Sequence, residues 1–259
     1  MEKIAIISDV HGNITALNAV LRDIKSKGIN RIFFLGDMIV KCSSPKECVD
    51  TIFENCEIIL KGNCEKRCLE EPKTEEHYWN RDKLTKEQIQ KIISLPLSYD
   101  FYMSGLKFRI MHSSPRDIHE KSTFWNYDEK FIDRMRLMFK NTNYLGNTNK
   151  KEPDIVVFGH LHRNMILRID NKTLINTGAV SNTSEMIEID GKKYTYGSYL
   201  VIQGEYNSKE VSLLEYSINK FTYDFELEAE KIKNTDMPYK ENAYLEIKTG
   251  KYFNRANIK

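Results

Sequence analysis

The sequence lacks any apolar run long enough to cross a lipid bilayer. Its longest apolar stretches, such as 4–7 and 155–158, contain four residues each, whereas a membrane-spanning helix needs about 20. The chain also opens with a strand-like segment at Lys3, without the charged and apolar regions of a secretory signal. We therefore expect no membrane association and a cytoplasmic location.

Cysteine is scarce, and an excess charge of either sign is absent. An odd number of cysteines without C-x-x-C spacing indicates reduced thiols rather than a disulfide framework or a zinc ribbon. They are Cys42, Cys48, Cys56, Cys64 and Cys68. The 39 lysine and arginine residues against 37 aspartate and glutamate residues leave a net charge of +2. Because this balance gives no long-range positive field, we do not expect a nucleic acid polymer as a partner.

The composition is that of a folded chain. Apolar residues make up 41% of the 259 residues and charged residues 29%, which supplies enough apolar surface for a core despite a mean hydropathy of -0.53. This length fits one domain or one domain with a small appendage. We expect a single domain over 1–259, in which 204–259 forms a C-terminal strand and helix extension packed on the rest.

Strand-like and helix-like segments alternate at the start of the chain. Gly28 and Pro45 lie at positions typical of a helix end and a helix start. The hydrophobic pattern predicts strands at 3–8, 31–35 and 57–60 and helices at 15–27 and 44–55. Repeated strand–helix–strand units are typical of a parallel sheet.

The remaining chain is less regular. We expect a polar connection at 72–82, helices at 85–94 and 130–139, a hairpin of 101–102 with 106–111, and a buried strand at 155–158. Further strands are expected near 165–169, 173–176, 198–202 and 210–216. Apolar residues at spacings of four, four and three predict a helical tail over 221–238, with Phe221, Phe225, Ala229 and Ile232 on its packed face.

Residue types that bind metals follow five of these segments. They are Asp9, His11, Asp37, Asn63, His112, His160 and His162. In α/β sheets the carboxyl ends of the strands converge on one crevice, so these side chains can meet. Oxygen and imidazole ligands suit manganese, iron or zinc. Each motif alone is weak evidence, because an aspartate after a strand is often only a helix cap, but the whole set predicts a two-metal site.

The chain resembles the calcineurin-like metallophosphoesterases. The resemblance rests on five short motifs in the family's order: Ser8-Asp9-Val10-His11-Gly12-Asn13, Leu35-Gly36-Asp37, Gly62-Asn63-Cys64-Glu65, Met111-His112 and Gly159-His160-Leu161-His162. The later Asn176-Thr177-Gly178-Ala179 also resembles the family's N-P-G-S turn, with two departures. The resemblance implies an α/β fold, a four-layer α/β/β/α sandwich in which helices flank two mixed β-sheets.

The resemblance further implies a dinuclear centre. Asp9, His11 and His162 would hold one divalent ion, Asn63, His112 and His160 the other, and Asp37 would bridge them. Manganese is the first choice of metal, with iron, zinc, nickel or cobalt as alternatives. A hydroxide shared by the two ions would attack phosphorus, so no catalytic side chain is assigned. The substrate would be a small phosphoester or phosphoanhydride, with a nucleotide such as a dinucleoside polyphosphate as the narrower prediction.

Two further residues are predicted to contact substrate, Asn13 and Cys64. Asn13 has an alternative role as the cap of the helix that follows it. Cys64 stands where many relatives have a histidine that protonates the leaving group, and a thiol is a poor substitute. Outside the motifs, His77 and His119 read as surface histidines, although His119 could also approach the cleft because it follows His112 closely. Lys61, Lys66 and Arg67 flank the third motif and are either solvated charges or contacts for distal phosphates.

Other functions remain open at this stage. A broad phosphodiesterase or a protein phosphatase would use the same metals behind a different cleft entrance. A non-enzymatic binding module of the same fold would usually have lost several ligands, whereas all seven are present here. The sequence does not specify an oligomeric state.

Overall fold

A computed structural model describes residues 1–120, 128–181 and 185–253 of the protein. Its helices are α1 (Ile14–Ser26), α2 (Pro45–Asn55), α3 (Asn63–Glu65), α4 (Glu75–Asp82), α5 (Lys86–Ile93), α6 (Phe131–Leu137), α7 (Phe225–Lys233) and α8 (Lys240–Thr249), and a π-helical turn at Lys66–Glu70 continues α3. Its strands are β1 (Glu2–Ile7), β2 (Arg31–Phe34), β3 (Ile58–Ile59), β4 (Ser98–Met103), β5 (Leu106–Met111), β6 (Ile155–Phe158), β7 (Asn164–Ile169), β8 (Lys172–Thr177), β9 (Met186–Ile189), β10 (Lys192–Gly204) and β11 (Glu215–Thr222).

The strands form two mixed sheets. The first has the order β11-β10-β1-β2-β3, with β9 paired to β10. In it β1, β2 and β3 run parallel, while β10 is antiparallel to β1. The second has the order β4-β5-β6-β8-β7, with parallel β5, β6 and β8 between two antiparallel edge strands.

Three apolar clusters separate four layers. Ile4, Ile6 and Phe33 of the first sheet pack against Phe108 and Val157 of the second. The opposite face of the first sheet packs on α1 and α2, and the opposite face of the second sheet packs on α6. Alternate residues of a strand point to opposite faces, so each strand feeds two of these clusters. The expected four-layer α/β/β/α sandwich with two mixed sheets flanked by helices is confirmed.

The segment expected to be a polar connection contains a helix. α4 spans Glu75–Asp82 inside 72–82, and the Thr74 side chain accepts a hydrogen bond from the His77 amide at its start. A capping threonine followed by two glutamates is a helix-start signal. The segment lacks a continuous apolar stripe, which is why hydrophobic periodicity alone predicted a connection.

The expected strand at 210–216 and the expected start of the helical tail at Phe221 are wrong. Residues 211–214 have no regular structure, and β11 begins at Glu215. Phe221 lies in β11, where it pairs with Gly197 of β10. The helix begins after Asp224, whose side chain accepts a hydrogen bond from the Leu227 amide. The spacing of Phe221 from Phe225 matches a helix by coincidence, because both side chains are buried for different reasons.

The C-terminal part of the chain packs on the rest. β11 extends the first sheet, and α7 and α8 share an apolar cluster with Cys42. Residues 254–259 of the expected extension lie outside the described residues. Among the described helices, none combines the length and apolar character needed to span a bilayer.

Candidate metal centre

Loops at the ends of strands from both sheets meet at one point. Asp9 and His11 follow β1, Asp37 follows β2, and Asn63 follows β3. From the second sheet, His112 follows β5, while His160 and His162 follow β6. All seven predicted ligands belong to this meeting point, and we call them the ligand cluster.

The backbone at the cluster is unusual. Five non-glycine members have φ between 55° and 68°, the left-handed region that L residues rarely adopt: Asp9, His11, Asp37, His160 and His162. Hydrogen bonds between loops hold these conformations, such as those from the amides of Asp9 to Gly36 and of His11 to Asp37. Backbone strain persists only where the surroundings enforce it, and it is concentrated at functional sites.

One half of the cluster consists of Asp9, His11 and His162. The Nε2 atoms of His11 and His162 lie 2.9 Å apart. Oδ1 of Asp9 lies 3.3 Å from Nε2 of His162 and 3.7 Å from Nε2 of His11. One potential ligand atom from each residue lies within 4.8 Å of the other two, which is the spacing expected around one cation.

The other half contains Asn63, His112 and His160. Nδ1 of His112 donates to the carbonyl of Leu35 at 3.2 Å, which leaves a lone pair on Nε2 of the neutral ring. That Nε2 lies 2.9 Å from Oδ1 of Asn63. Two acceptors at this distance repel unless a proton or a cation lies between them, so the pair fits a metal. His160 joins His112 and Asp37 in a second group with ligand atoms within 4.8 Å.

Asp37 lies between the two halves. Its Oδ2 is 3.7 Å from Nε2 of His11, and its Oδ1 is 3.4 Å from Nε2 of His112. The backbone amide of Cys64 donates to Oδ1 at 2.8 Å and fixes the carboxylate plane. One carboxylate with an oxygen directed to each half is the arrangement expected of a bridging ligand.

Charges in the cluster favour metal binding. Burial would raise the pKa of Asp9, but the imidazoles of His162, His112 and His11 hold it far below 3.8. Burial lowers the pKa of His11 well below 6.5, and the positive charge of Lys41 adds to this effect. A carboxylate and a neutral imidazole are the forms that bind metals. Oδ1 of Asp9 is buried and, among the described residues, receives no hydrogen bond, so it has an unused site for a cation.

Glu65 supports the cluster, although the sequence patterns predicted no role for it. Its fully buried carboxylate accepts hydrogen bonds from the amides of Asp37 and Met38 at 2.8 Å and of Gly62 at 2.8 Å. Burial and the charge of Asp37 raise the pKa of Glu65 to about 7. The residue lies within the third motif, but sequence spacing cannot show that these amides converge on it.

The two predicted substrate contacts differ in position. Asn13 is fully buried, its Oδ1 accepts from the Ala16 amide at 2.8 Å, and its Nδ2 donates to Ser181 at 2.9 Å. Both ends of the amide are therefore used inside the protein, which favours the helix-cap role. Cys64 does line the cavity beside the cluster, and its thiol donates to Oδ2 of Asp37 at 3.1 Å.

A cavity of about 650 Å³ opens beside the ligand cluster. Its volume is within the range of roughly 300–1,000 Å³ typical of small-molecule sites. His11, Asp37 and His160 contribute to one part of the wall, and α4 and the region around Tyr239 contribute to another. His77 and His119 are both half-buried in this wall, which differs from the surface position expected of His77 and agrees with the alternative position of His119 at the cleft.

Comparisons with known proteins agree with this geometry. Residues 2–201 match the model of the calcineurin-like phosphoesterase superfamily domain. The chain is 31% identical over 229 residues to the uncharacterized protein MJ0912 of Methanocaldococcus jannaschii, which covers 84% of this chain and 89% of that protein.

Two solved structures share the fold. A metallophosphoesterase from Sphaerobacter thermophilus superposes with a TM-score of 0.70 at 21% identity, over 96% of this chain and 99% of that one. The hypothetical protein PH1004 from Pyrococcus horikoshii OT3 superposes with a TM-score of 0.69 at 12% identity, over 98% of this chain and 100% of that one.

Proposed function

We propose that the protein cleaves a small phosphoester or phosphoanhydride at a dinuclear metal centre. The chain belongs to the calcineurin-like phosphoesterase superfamily, and it is thus a metal-dependent phosphoester hydrolase. The observation that carries this proposal is the position of Asp37, with one carboxylate oxygen 3.7 Å from His11 and the other 3.4 Å from His112. A single-metal site would not need ligand groups on both sides of one carboxylate.

We assign the ligand cluster as the metal ligands. Asp9, His11 and His162 would hold one ion and Asn63, His112 and His160 the other, with Asp37 between them. Manganese is the proposed metal, with iron, zinc, nickel and cobalt as alternatives. The donor set of oxygen and imidazole nitrogen supports this choice. The neutral Cys64 thiol does not compete, since burial and the charges of Asp37 and Glu65 raise its pKa well above 9.0.

The protein residues position the reaction. Two divalent cations held by the ligand cluster would lower the pKa of a bound water and would stabilise charge on phosphoryl oxygens. The His160 amide donates to Oδ2 of Asp9 at 2.9 Å, and Asn176 donates to the carbonyl of Gly159. These bonds hold the loop after β6 in place. No side chain of the cluster is needed as a covalent nucleophile.

The cavity favours a small substrate over a protein. Its volume of about 650 Å³ accommodates a phosphorylated metabolite or a nucleotide, and a dinucleoside polyphosphate is the narrower proposal. A broad phosphodiesterase or a protein phosphatase would share the cluster but would need a more open approach. A single domain over 1–259 with its 204–259 extension and a cytoplasmic location also stay predictions.

The decisive experiment combines turnover with metal counting. Asp37→Asn should bind fewer than the two manganese ions expected of the wild type and should lose most of its hydrolysis of bis(4-nitrophenyl) phosphate. Asp82→Asn, at an exposed position of α4, is the matched control and should change neither. Two ions and full turnover in Asp37→Asn would refute the assignment. Two ions without turnover of any phosphoester in the wild type would instead indicate a binding module.

A further inference from the structure

Besides Lys41 of the loop after Asp37, four basic residues of the cavity wall have no part in the proposed metal centre. They are Arg67, Lys73, His77 and His119, and we call them the basic wall. They come from the π-helical turn, from α4 and the residues before it, and from the loop after β5. Three separate segments thus bring basic groups to the cavity that also contains the ligand cluster.

Arg67 differs from the two lysines that flank the third motif with it. Lys61 donates to Glu70 at 2.7 Å and to the carbonyl of Ile93 at 2.7 Å, and Lys66 lies 4.0 Å from Glu71. Arg67 makes neither an ion pair nor a hydrogen bond within the described part of the chain. A half-buried guanidinium has five donors to satisfy, so Arg67 is available to an anion in the cavity.

His77 is arranged as a hydrogen-bond donor. Its Nδ1 accepts from the backbone amide of Lys73 at 3.2 Å. Because Nδ1 is the acceptor, the proton of the neutral ring lies on Nε2. The Lys73 ammonium itself forms no ion pair among the described residues. Both side chains can therefore donate to a ligand.

His119 adds an unused polar atom. Its Nδ1 is buried and has no hydrogen-bond partner in the described ranges, which is uncommon for a buried nitrogen. Burial and then the positive charge of Arg67 lower the pKa of both His119 and His77 below 6.5. Arg67, His77 and His119 all line the same cavity.

The two glutamates of the cavity wall form no ion pair with Arg67 or Lys73 within the described ranges. Glu76 accepts a hydrogen bond from the Lys41 amide at 3.3 Å, and Glu71 lies 4.0 Å from Lys66. Neither glutamate therefore occupies the donors of Arg67 or Lys73 directly.

We propose that the basic wall is a second phosphate subsite, which binds a phosphoryl group beyond the one at the ligand cluster. This inference rests on the proposed function and narrows it, because the preferred substrates then contain at least two phosphoryl groups, as phosphoanhydrides do. Charge-assisted hydrogen bonds from arginine are strong and specific for phosphate oxygens. A single phosphate at the metals would leave Arg67 and Nδ1 of His119 without partners.

The test compares one phosphate with two. Orthophosphate and pyrophosphate are measured as competitive inhibitors of bis(4-nitrophenyl) phosphate hydrolysis with excess manganese, and their binding is measured separately by calorimetry. Arg67→Gln should weaken pyrophosphate about tenfold or more, as expected for a lost charged hydrogen bond, while orthophosphate changes less than about threefold. His119→Gln should weaken pyrophosphate in the same selective way.

Lys66→Gln is the matched control, since it removes a charge from the adjacent position, which does not line the cavity. Equal effects of Arg67→Gln and Lys66→Gln would overturn the subsite, as would an equal loss for orthophosphate and pyrophosphate. Phosphonoacetate binding as tightly as pyrophosphate would overturn the assignment to a phosphoryl group. If the wild type hydrolyses no ester but binds pyrophosphate through Arg67, the subsite stands and the proposed function fails.

Discussion

At the scale of single residues, Cys64 is the main departure from the motif of the family. Its thiol is buried and donates to Asp37. Burial is the main reason that the pKa of this thiol is raised well above 9.0. A positioned general acid contributes roughly 10²–10⁴-fold to a rate, and so weak an acid cannot supply it. The leaving group must therefore depart with little help from this position.

We predict that Cys64→Ala retains activity on aryl phosphodiesters within about tenfold of wild type, well below the loss for a true general acid. Rates of the wild type on a series of aryl esters should fall steeply as the leaving-group pKa rises. Cys56→Ala, which changes a thiol outside the cavity, controls for thiol loss. A flat dependence on leaving-group pKa would show that another residue donates the proton.

The sequence allowed a better prediction of the ligand cluster than of the residues that surround and support it. Asp9, Asp37 and His160 follow buried strands, and the convergence of strand ends made their meeting predictable. Glu65 was not predictable as an amide acceptor, because that role depends on four backbone amides from two loops. His119 reaches the cavity through a loop, whose path local sequence does not determine.

At the scale of elements, α4 supports the loop that follows Asp37. Val40 and Lys41 have φ of 76° and 78°, which is strained for both and most of all for the β-branched valine. The buried Asn80 of α4 accepts a hydrogen bond from the Val40 amide at 3.0 Å. α4 thus holds two strained residues of the cavity wall in place.

We predict that Asn80→Ala lowers the free energy of unfolding by about 1–3 kcal/mol, because it leaves the buried Val40 amide without its acceptor. Urea unfolding gives this value, and manganese titration should show weaker binding as the loop relaxes. Asn55→Ala is the matched control, since Asn80 and Asn55 both donate through Nδ2 to the carbonyl of the residue four positions earlier, but Asn55 lies at an exposed position. Equal effects at both positions would refute the role of α4.

The β4–β5 hairpin contains a buried ion pair. Arg109 is fully buried and donates to Asp100 through Nε at 2.8 Å and through Nη2 at 3.1 Å. Lys107 also lies 2.9 Å from Asp100. Burial alone would raise the pKa of Asp100, but the hydrogen bonds from Arg109 and Lys107 hold it below 3.8.

We predict that Asp100→Asn destabilises the protein by about 3 kcal/mol at neutral pH, since it leaves a buried guanidinium charge without its partner. The folded protein lowers the pKa of Asp100, so the contribution is complete above the unfolded value of 3.8 and is lost as the pH falls through the folded value. Urea unfolding at several pH values should therefore show a difference that shrinks in acid. Asp128→Asn, which alters an exposed pair with Arg134, should have little effect at any pH.

At this scale, the sequence predicted most helices and strands. It misplaced those that lack a clear apolar pattern or a turn signal at their start. Helices at 85–94 and 130–139 correspond to α5 and α6 because their apolar stripes are clear. α4 has few apolar residues and was missed. β11 was displaced because its start at Glu215 lacks a turn signal, and pairing with β10 determines where it begins.

At the scale of the whole molecule, the ligand cluster joins the two sheets. Asp9 and Asp37 extend from the first sheet, and His112 and His160 extend from the second. Two cations bound by these residues, with Asp37 between them, would stabilise the packing of one sheet on the other as well as the cluster itself. The four-layer architecture was predictable only through the resemblance, since sequence patterns do not show which strands pair over long distances.

We predict that manganese at about 100 times its dissociation constant stabilises the protein by about 2.7 kcal/mol. For a chain of this size, that stabilisation corresponds to a rise in Tm of roughly 5–10 °C, measured by differential scanning calorimetry against protein treated with a chelator. Asp37→Asn should show a much smaller rise. A rise of the same size in that variant would mean that manganese stabilises the protein from another site.

The pairing of β1 with β10 has a consequence for synthesis on the ribosome. β1 pairs with β2 on one side, but its other neighbour is β10, from Ile6 with Leu200 to Glu2 with Gly204. Because β1 is synthesised long before β10, one edge of β1 stays open until residues 200–204 have been made. An open apolar edge is a template for aggregation. We therefore expect nascent chains and truncated products that end before Gly204 to aggregate unless a chaperone covers this edge, whereas a chain that includes β10 closes the edge itself.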